Sequence, residues 1–385
     1  VIPRALLSAG IELAERGRVP DLVLRRAIRS LCASWARSFD GLGEDEARRL
    51  REEFVAEASA APVAPVPELA NEQHYEVPAE FFELCLGARR KYSSCWWGDG
   101  VRTLDEAEEA SLALTCEHAG LADGQRILEL GCGWGSLSLW MAERYPASRI
   151  LAVSNSASQR RSILARAESR GLTNLRVVTA DVNGLELPDR YDRVVSVEMF
   201  EHMRNWRELL RRISGWLEPD GRLFLHFFCH RAHPSVYGTE GPENWMGRHF
   251  FTGGIMPSRD LLEAHPEHLA VESDWWWDGT HYRDTSNAWL ANLDAHRDEA
   301  RAILATTYGA RDADRWLNRW RLFFLSCAEL FGLRGGAEWG VGHYRLAIAS
   351  PSRATPSRIS ASASSANPRM KPASGGGTSQ KGRSG

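Results

Sequence analysis

Two carboxylates and an imidazole fall within one short stretch, Glu198-Met199-Phe200-Glu201-His202, directly after an apolar run, Arg193 to Val197, that reads as a strand. Such groups are costly to desolvate, so a cluster of them at a strand end is hard to explain as packing and points to proton transfer. Glu198, Glu201 and His202 are therefore the candidate catalytic residues, with Glu201 and His202 as proton acceptors and Glu198 attracting a cationic substrate.

A second signature is Leu128-Glu129-Leu130-Gly131-Cys132-Gly133-Trp134-Gly135, an apolar strand that runs into alternating glycines and then a helix. The first glycine allows a sharp exit from the strand, and missing Cβ atoms let a ligand lie against the backbone at the helix N-terminus. A dinucleotide turn is spaced G-x-G-x-x-G to seat a pyrophosphate. Here the spacing is G-x-G-x-G with bulky Trp134 between the last two glycines, which predicts an amino-acid and ribose moiety, as in S-adenosylmethionine, and disfavours a nicotinamide oxidoreductase.

Methyl transfer from a sulfonium needs neither a protein nucleophile nor a metal, because the donor is already activated. Alignment and loss of one proton from the acceptor remain. An aliphatic amine with a pKa near that of lysine, ~10.4, is free base in only about one molecule per thousand at neutral pH. A general base typically contributes about 10²–10⁴ in rate, so the glutamate and histidine cluster matches the size of the problem.

Ser154-Asn155-Ser156 with Gln159 stands where nucleotide folds often place an acid for the ribose hydroxyls. Asp181 either accepts from an adenine amino group or caps a turn. Around these lie Trp96, Trp97, Trp245, Phe250, Phe251, Trp275, Trp276, Trp277 and Trp339. Some belong to the core, while others suit a cage for a cationic amine or a groove for an acyl chain.

The elements that must position these residues follow from the pattern. Thr103-Leu104-Asp105-Glu106 is a capping box opening a helix to about His118, which delivers the chain to a strand at 126–130. Strands at 149–153, 175–179, 192–197 and 222–228 then alternate with helices at 156–170 and 203–217. That alternation predicts a mainly parallel sheet covered on both faces, with ligands at the carboxyl ends of its strands. Residues 229–290 break it and are expected to form an aromatic-rich lid insertion; helices at about 286–306 and 312–331 and a closing strand at 344–349 follow.

Residues 1–60 read as a helical arm with Leu24, Ile28, Leu31 and Trp35 on one side and Arg25, Arg26, Arg29 and Arg37 on the other. This stripe predicts packing against the domain or a second copy of the chain, as in a homodimer, and allows at most peripheral contact with an anionic membrane. A proline-spaced linker at 61–70 separates the arm from a catalytic domain at 71–349, and the Ser-, Pro- and Gly-rich basic tail 350–385 is expected to be disordered.

The net charge of −3 over 385 residues argues against a nucleic-acid partner held by bulk electrostatics. The seven cysteines contain no C-x-x-C pair, so neither a disulfide framework nor a zinc site is indicated and a cytoplasmic setting is expected. No apolar run reaches the ~18 residues of a membrane span.

The chain resembles the cyclopropane-fatty-acid-synthase superfamily of S-adenosylmethionine enzymes, and within it the coclaurine N-methyltransferase branch. The carriers are Gln73-His74-Tyr75, Lys91-Tyr92-Ser93, the glycine turn, Glu198 to Met203, His226-Phe227-Phe228-Cys229-His230, Phe250 to Gly254, His281-Tyr282 and Glu329-Leu330-Phe331-Gly332. The resemblance implies an α/β class I methyltransferase fold, Rossmann-like, with a mainly parallel seven-stranded sheet and an antiparallel closing strand.

It also implies donor contacts at Tyr92, Ser93, Gly131, Gly133, Asn155, Gln159, Asp181 and Val182, and a substrate pocket at Ser94, His226, Phe228, Phe251 and Tyr282. Lipid-modifying relatives hold a bicarbonate ion at the positions of Ser94, Glu201, His226, Phe228 and Tyr282. Here Ser94 stands for their cysteine and Phe228 for their isoleucine, and Met203-Arg204-Asn205 follows the Glu-His pair as in the amine branch. The expected reaction is N-methylation of a small or medium amine. The alternatives are methylene or methyl transfer to an unsaturated acyl chain, and a non-catalytic donor-binding scaffold.

Overall fold

The computed structural model describes residues 3–66 and 77–349. Gln73-His74-Tyr75, residues 67–70 of the linker and the tail 350–385 lie outside the described residues. The arm is three helices, α1 (Arg4–Glu15), α2 (Asp21–Phe39) and α3 (Glu44–Ala60). After α4 (Ala79–Cys85), α5 (Leu104–Ala119) opens on the expected capping box: Thr103 accepts from the Glu106 N–H while the Glu106 carboxylate accepts from the Thr103 N–H. Gly120, in the left-handed region at φ +63°, ends it and turns the chain toward the sheet.

The alternating segment folds as β1 (Arg126–Leu130), α6 (Ser136–Arg144), β2 (Arg149–Ser154), α7 (Ala157–Ser169), β3 (Leu175–Thr179), β4 (Tyr191–Val197), α8 (Trp206–Trp216) and β5 (Leu217–His230). Next come a short ribbon, β6 (Ser235–Val236) with β7 (Ile255–Met256), and α9 (Trp245–His249) between its strands. The remainder is β8 (Leu269–Asp278), α10 (Gly279–Ala295), α11 (Arg297–Tyr308), α12 (Ala313–Phe331) and β9 (Trp339–Ile348). The seven-stranded sheet has the order β3-β2-β1-β4-β5-β9-β8. Strands β1 to β5 are parallel, and β9 inserts antiparallel between β5 and β8. This is the class I methyltransferase arrangement. In β1 the apolar residues face both ways, Ile127 into one core and Leu128 and Leu130 into another, which is why it reads as a continuous apolar run.

The region 229–290 is not one insertion. Its end is β8, carrying Trp275 to Trp277, and the first part of α10. The expected helix at 286–306 is two helices that break at His296, the closing strand starts at Trp339, and the helix after the Glu198–His202 cluster starts at Trp206, capped by Asn205.

Of the two partners expected for the arm's stripe, the domain receives it. Leu24 is buried on α2, which packs against α12, and Arg25 and Arg29 both pair with Glu329 at 2.9 and 2.7 Å. Leu31 remains 37% exposed. Nor is the first part of the linker free: Arg204 N–H donates to the Val63 carbonyl, Asn183 bonds both the N–H and carbonyl of Ala64, and Asn205 donates to the carbonyls of Ser59 and Ala61. No helix among the described residues is long and apolar enough to cross a membrane.

Candidate active site

A cleft opens at the carboxyl ends of β1, β2 and β4, walled by the glycine turn and roofed by Ala64, Val66 and Thr252. All eight residues expected to hold the donor line it: Tyr92, Ser93, Gly131, Gly133, Asn155, Gln159, Asp181 and Val182. The three turn glycines have positive φ, +77°, +50° and +79°, but differ in what they face. A Cβ on Gly131 would meet Met199, and one on Gly135 would lie 2.6 Å from Ile163. At Gly133 a Cβ would meet nothing within 4 Å, so there the bare backbone faces open cleft. Asp181 also caps the turn after β3 by accepting from the Asn183 N–H at 2.9 Å, so the capping role foreseen for it is realised beside its place in the wall.

Lys91, Thr115 and Glu129 line the same cleft but were not among the expected donor contacts, although Lys91 and Glu129 stand in the quoted motifs. Lys91 is buried, its Nζ donating to Ser93 Oγ at 2.6 Å and to the Ser94 carbonyl at 2.5 Å. Burial pushes the Glu129 carboxyl up to about 8, opposed by the Ser138 hydroxyl. The available signal was an acid two residues before the first glycine and a lysine beside Tyr92. Thr115 Oγ1, Trp134 Nε1, Ser136 Oγ and Gln159 Nε2, all on the cleft wall, are buried with no protein partner. Buried polar atoms require partners, and this mixed set of hydroxyl, amide, ammonium and carboxyl groups fits the amino-acid and ribose portions of S-adenosylmethionine.

Beyond the donor residues, β4 ends at Glu198, which adopts φ +47°, rare for a side-chain-bearing residue. Its N–H donates to the His226 carbonyl at 2.8 Å, holding the strained turn. Its carboxylate is a hub: Oε1 accepts from the Ser94 N–H at 2.8 Å and lies 3.2 Å from His226 Nε2, while Oε2 accepts from the Tyr282 hydroxyl at 2.8 Å. Burial pushes Glu198 up, but His226, Lys91 and the Ser94 N–H outweigh it and hold the group below the usual carboxylate range.

Glu201 behaves oppositely. It is buried, off the cleft wall, and accepts from the Phe228 N–H at 2.7 Å through one oxygen while the other has no partner. Burial and the nearby Glu198 charge push its carboxyl well above the ordinary value. Two neighbouring buried carboxyls resist ionising together, and the opposite shifts favour the charge on Glu198 and the proton on Glu201. As placed, Glu201 is shifted toward the neutral acid and lies behind the cleft wall, not on it.

His202 does reach the cleft wall. Its ring stacks on Phe251 at 4.6 Å, and burial lowers it to about 4, with Glu198 opposing, so it is a neutral imidazole at neutral pH.

None of the five expected pocket residues is on the cleft wall. Ser94, His226 and Tyr282 direct their polar groups at Glu198; Phe228 and Phe251 back Glu201 and His202. Where a bicarbonate ion was expected, the Ser94 N–H, His226 Nε2 and the Tyr282 hydroxyl thus meet the chain's own carboxylate, while Ser94 Oγ is buried without a partner.

The sequence profile of the mycolic acid cyclopropane synthetases matches residues 67–335. The chain is 38% identical over 285 residues to the (S)-coclaurine N-methyltransferase of Thalictrum flavum subsp. glaucum, spanning 73% of this chain and 79% of that one. It is 33% identical over 333 residues to the enzyme of the same name from Papaver somniferum, spanning 86% and 95%. A crystal structure of coclaurine N-methyltransferase bound to N-methylheliamine and SAH superposes with a TM-score of 0.86 at 33% identity, covering 89% of this chain and 99% of that chain.

Proposed function

The chain belongs to the mycolic acid cyclopropane synthetase family of S-adenosylmethionine-dependent methyltransferases, and from that premise we propose that it methylates the nitrogen of a small or medium amine of the kind the coclaurine N-methyltransferases accept. The observation that carries the reading is the pairing on one cleft wall of an anionic Glu198 with a neutral His202.

Glu198 draws the cationic form of the amine into a site where opposite charge is weakly screened. His202, neutral and supported by the Phe251 ring, accepts the proton that nitrogen must lose. Glu201 holds the Phe228 backbone behind them as a neutral acid. The bound donor supplies an activated methyl carbon on its sulfonium. In this reading Lys91 and Glu129 receive the carboxylate and ammonium of the donor's amino-acid end, with Tyr92 and Ser93 alongside. Asn155 and Gln159 receive the ribose hydroxyls, and Asp181 and Val182 flank the adenine.

The test is incubation with labelled donor and a panel of secondary and tertiary amines, with unsaturated phospholipid vesicles as the competing acceptor. Labelled N-methyl product is expected, with kcat reduced about 10²–10⁴-fold in Glu198→Gln and His202→Ala. Wild-type turnover in both variants, or label entering only acyl chains, would sink the reading.

A further inference from the structure

Behind Glu198, three histidines stand in single file. His226 Nε2 lies 3.2 Å from Glu198 Oε1, His226 Nδ1 lies 2.8 Å from His343 Nε2, and His343 Nδ1 lies 2.8 Å from His118 Nδ1. They come from three elements, β5, β9 and α5, and His226 and His343 are register partners across the antiparallel pair. None lines the cleft. His226 and His343 are buried among Phe224 and Trp277, while His118, 8% exposed, ends the file stacked on Trp275.

The direction of the donors follows from the end of the file. An ionised carboxylate only accepts, so His226 must present Nε2–H to Glu198. Burial keeps His226 neutral, lowered to about 4, so its Nδ1 carries a lone pair that only a donor can meet. His343 meets it with Nε2–H, which leaves the His343 Nδ1 lone pair for His118 Nδ1–H. One nitrogen's hydrogen bond fixes the protonation of the other around each ring.

We propose that His343 and His118 are positioning residues for methyl transfer: by fixing the tautomer of His226 they keep an N–H aimed at Glu198 and so keep that carboxylate anionic. The proposal rests on the reading of Glu198 as the anion that receives the amine. Other groups facing Glu198 are Lys91, Glu201, His202 and the thiols Cys95 and Cys327, with the Tyr282 hydroxyl and Ser94 N–H as donors independent of the file. Lys91 also faces His343, and Arg345 faces His118. Without His343, only Glu198 itself holds the His226 proton on Nε2, and the buried Nδ1 lone pair is left without its donor, which favours moving the proton to Nδ1. Shifted to Nδ1, it leaves a lone pair against Glu198 Oε1, which favours the protonated acid. The remaining donors make the consequence a displacement of the acid limb and not a loss of the site.

The experiment is the pH profile of kcat/KM at saturating donor on the full chain, using an amine that gave product. In His343→Phe the acid limb should move up by about one pH unit, a tenfold loss on its slope, with the donor Kd unchanged. His343→Gln, whose amide N–H can donate to His226 Nδ1, should return the limb toward wild type. His118→Phe should shift it in the same direction by less. The amine's own titration is common to all variants and cancels. A folded His343→Phe with the wild-type limb, or a Gln variant no better than Phe, overturns the proposal; if His343→Phe does not fold, an unmoved limb in His118→Phe does so. Wild-type turnover in Glu198→Gln would instead overturn the reading of Glu198 beneath it.

Discussion

At the scale of single residues, Glu198 and Glu201 are three positions apart and are shifted in opposite directions, because one gathers donors and the other gathers only the Phe228 N–H. Glu201 is raised in the folded chain above its unfolded value, so the native state holds its proton more tightly. Its contribution to stability is complete below the unfolded pKa, about 4.3, and is lost as pH rises toward the folded value. Glu201→Gln keeps a neutral group of the same shape and removes that loss. Melting temperature followed from pH 5 to 9 should therefore fall less steeply in the variant, with turnover within about threefold of wild type, since no ionised base is lost. A variant as inactive as Glu198→Gln would show that Glu201 acts as a base after all. The residue types of this cluster were legible in the sequence, but their division of labour was not. It depends on Ser94, His226 and Tyr282, which lie 28 to 104 positions from Glu198 and reach it only through the fold. Lys91 and Glu129 were not read as donor contacts for a related reason: Glu129 sits inside an apolar strand and Lys91 in a basic and polar loop, and each joins the cleft only when the fold buries it.

Elements carry the next level of meaning. The glycine turn was readable because its chemistry is local: strand, positive φ, helix. Local spacing could not say which glycine faces ligand and which faces packing. Gly135→Ala adds a left-handed residue whose Cβ meets Ile163, so it should cost on the order of 1–3 kcal/mol of stability, measured by urea unfolding, with donor affinity changed mainly through lost folding. Gly133→Ala has room for its Cβ and should be penalised only by the left-handed backbone, about 1–2 kcal/mol, while donor affinity by calorimetry falls more than in Gly135→Ala. The reverse ranking of donor affinities would mean that the turn does not seat the donor at Gly133. Strands β1 to β5 were legible from alternation with helices. Strand β8 was not, because its three tryptophans sit in a stretch whose aromatics, glycines and prolines read as irregular, and because its partner β9 lies some 60 residues further on.

For the molecule as a whole, the arm is the part whose role depends most on contacts distant in sequence. A proline-spaced linker suggested a separable unit, yet the described contacts join arm and domain along the full length of the arm. Asp21 pairs with Arg321 at 2.9 Å, Arg25 and Arg29 with Glu329, Glu15 with Arg319 at 3.0 Å, and Asp40 with Arg334. Trp35 packs on Trp339 at 5.2 Å between ring centres, and Val63 and Ala64 are buried beneath the bonds from Arg204 and Asn183. Exposed ion pairs alone are worth only about 0–1 kcal/mol each, so the apolar contacts carry most of the attachment. Glu329 and Glu15 add to it because they are nearly buried and would be left unpaired on separation. Ala64 and Val66 also roof the donor cleft, which ties the arm's attachment to the site. Arm and catalytic domain should accordingly unfold together: calorimetry of the full chain should show one transition, and donor should raise its midpoint. Deletion of residues 1–60 should give a chain that aggregates or binds donor at least tenfold more weakly. Two resolved transitions, or a truncated chain with wild-type donor affinity, would show that the arm is a separable module and that the roof over the cleft stands without it.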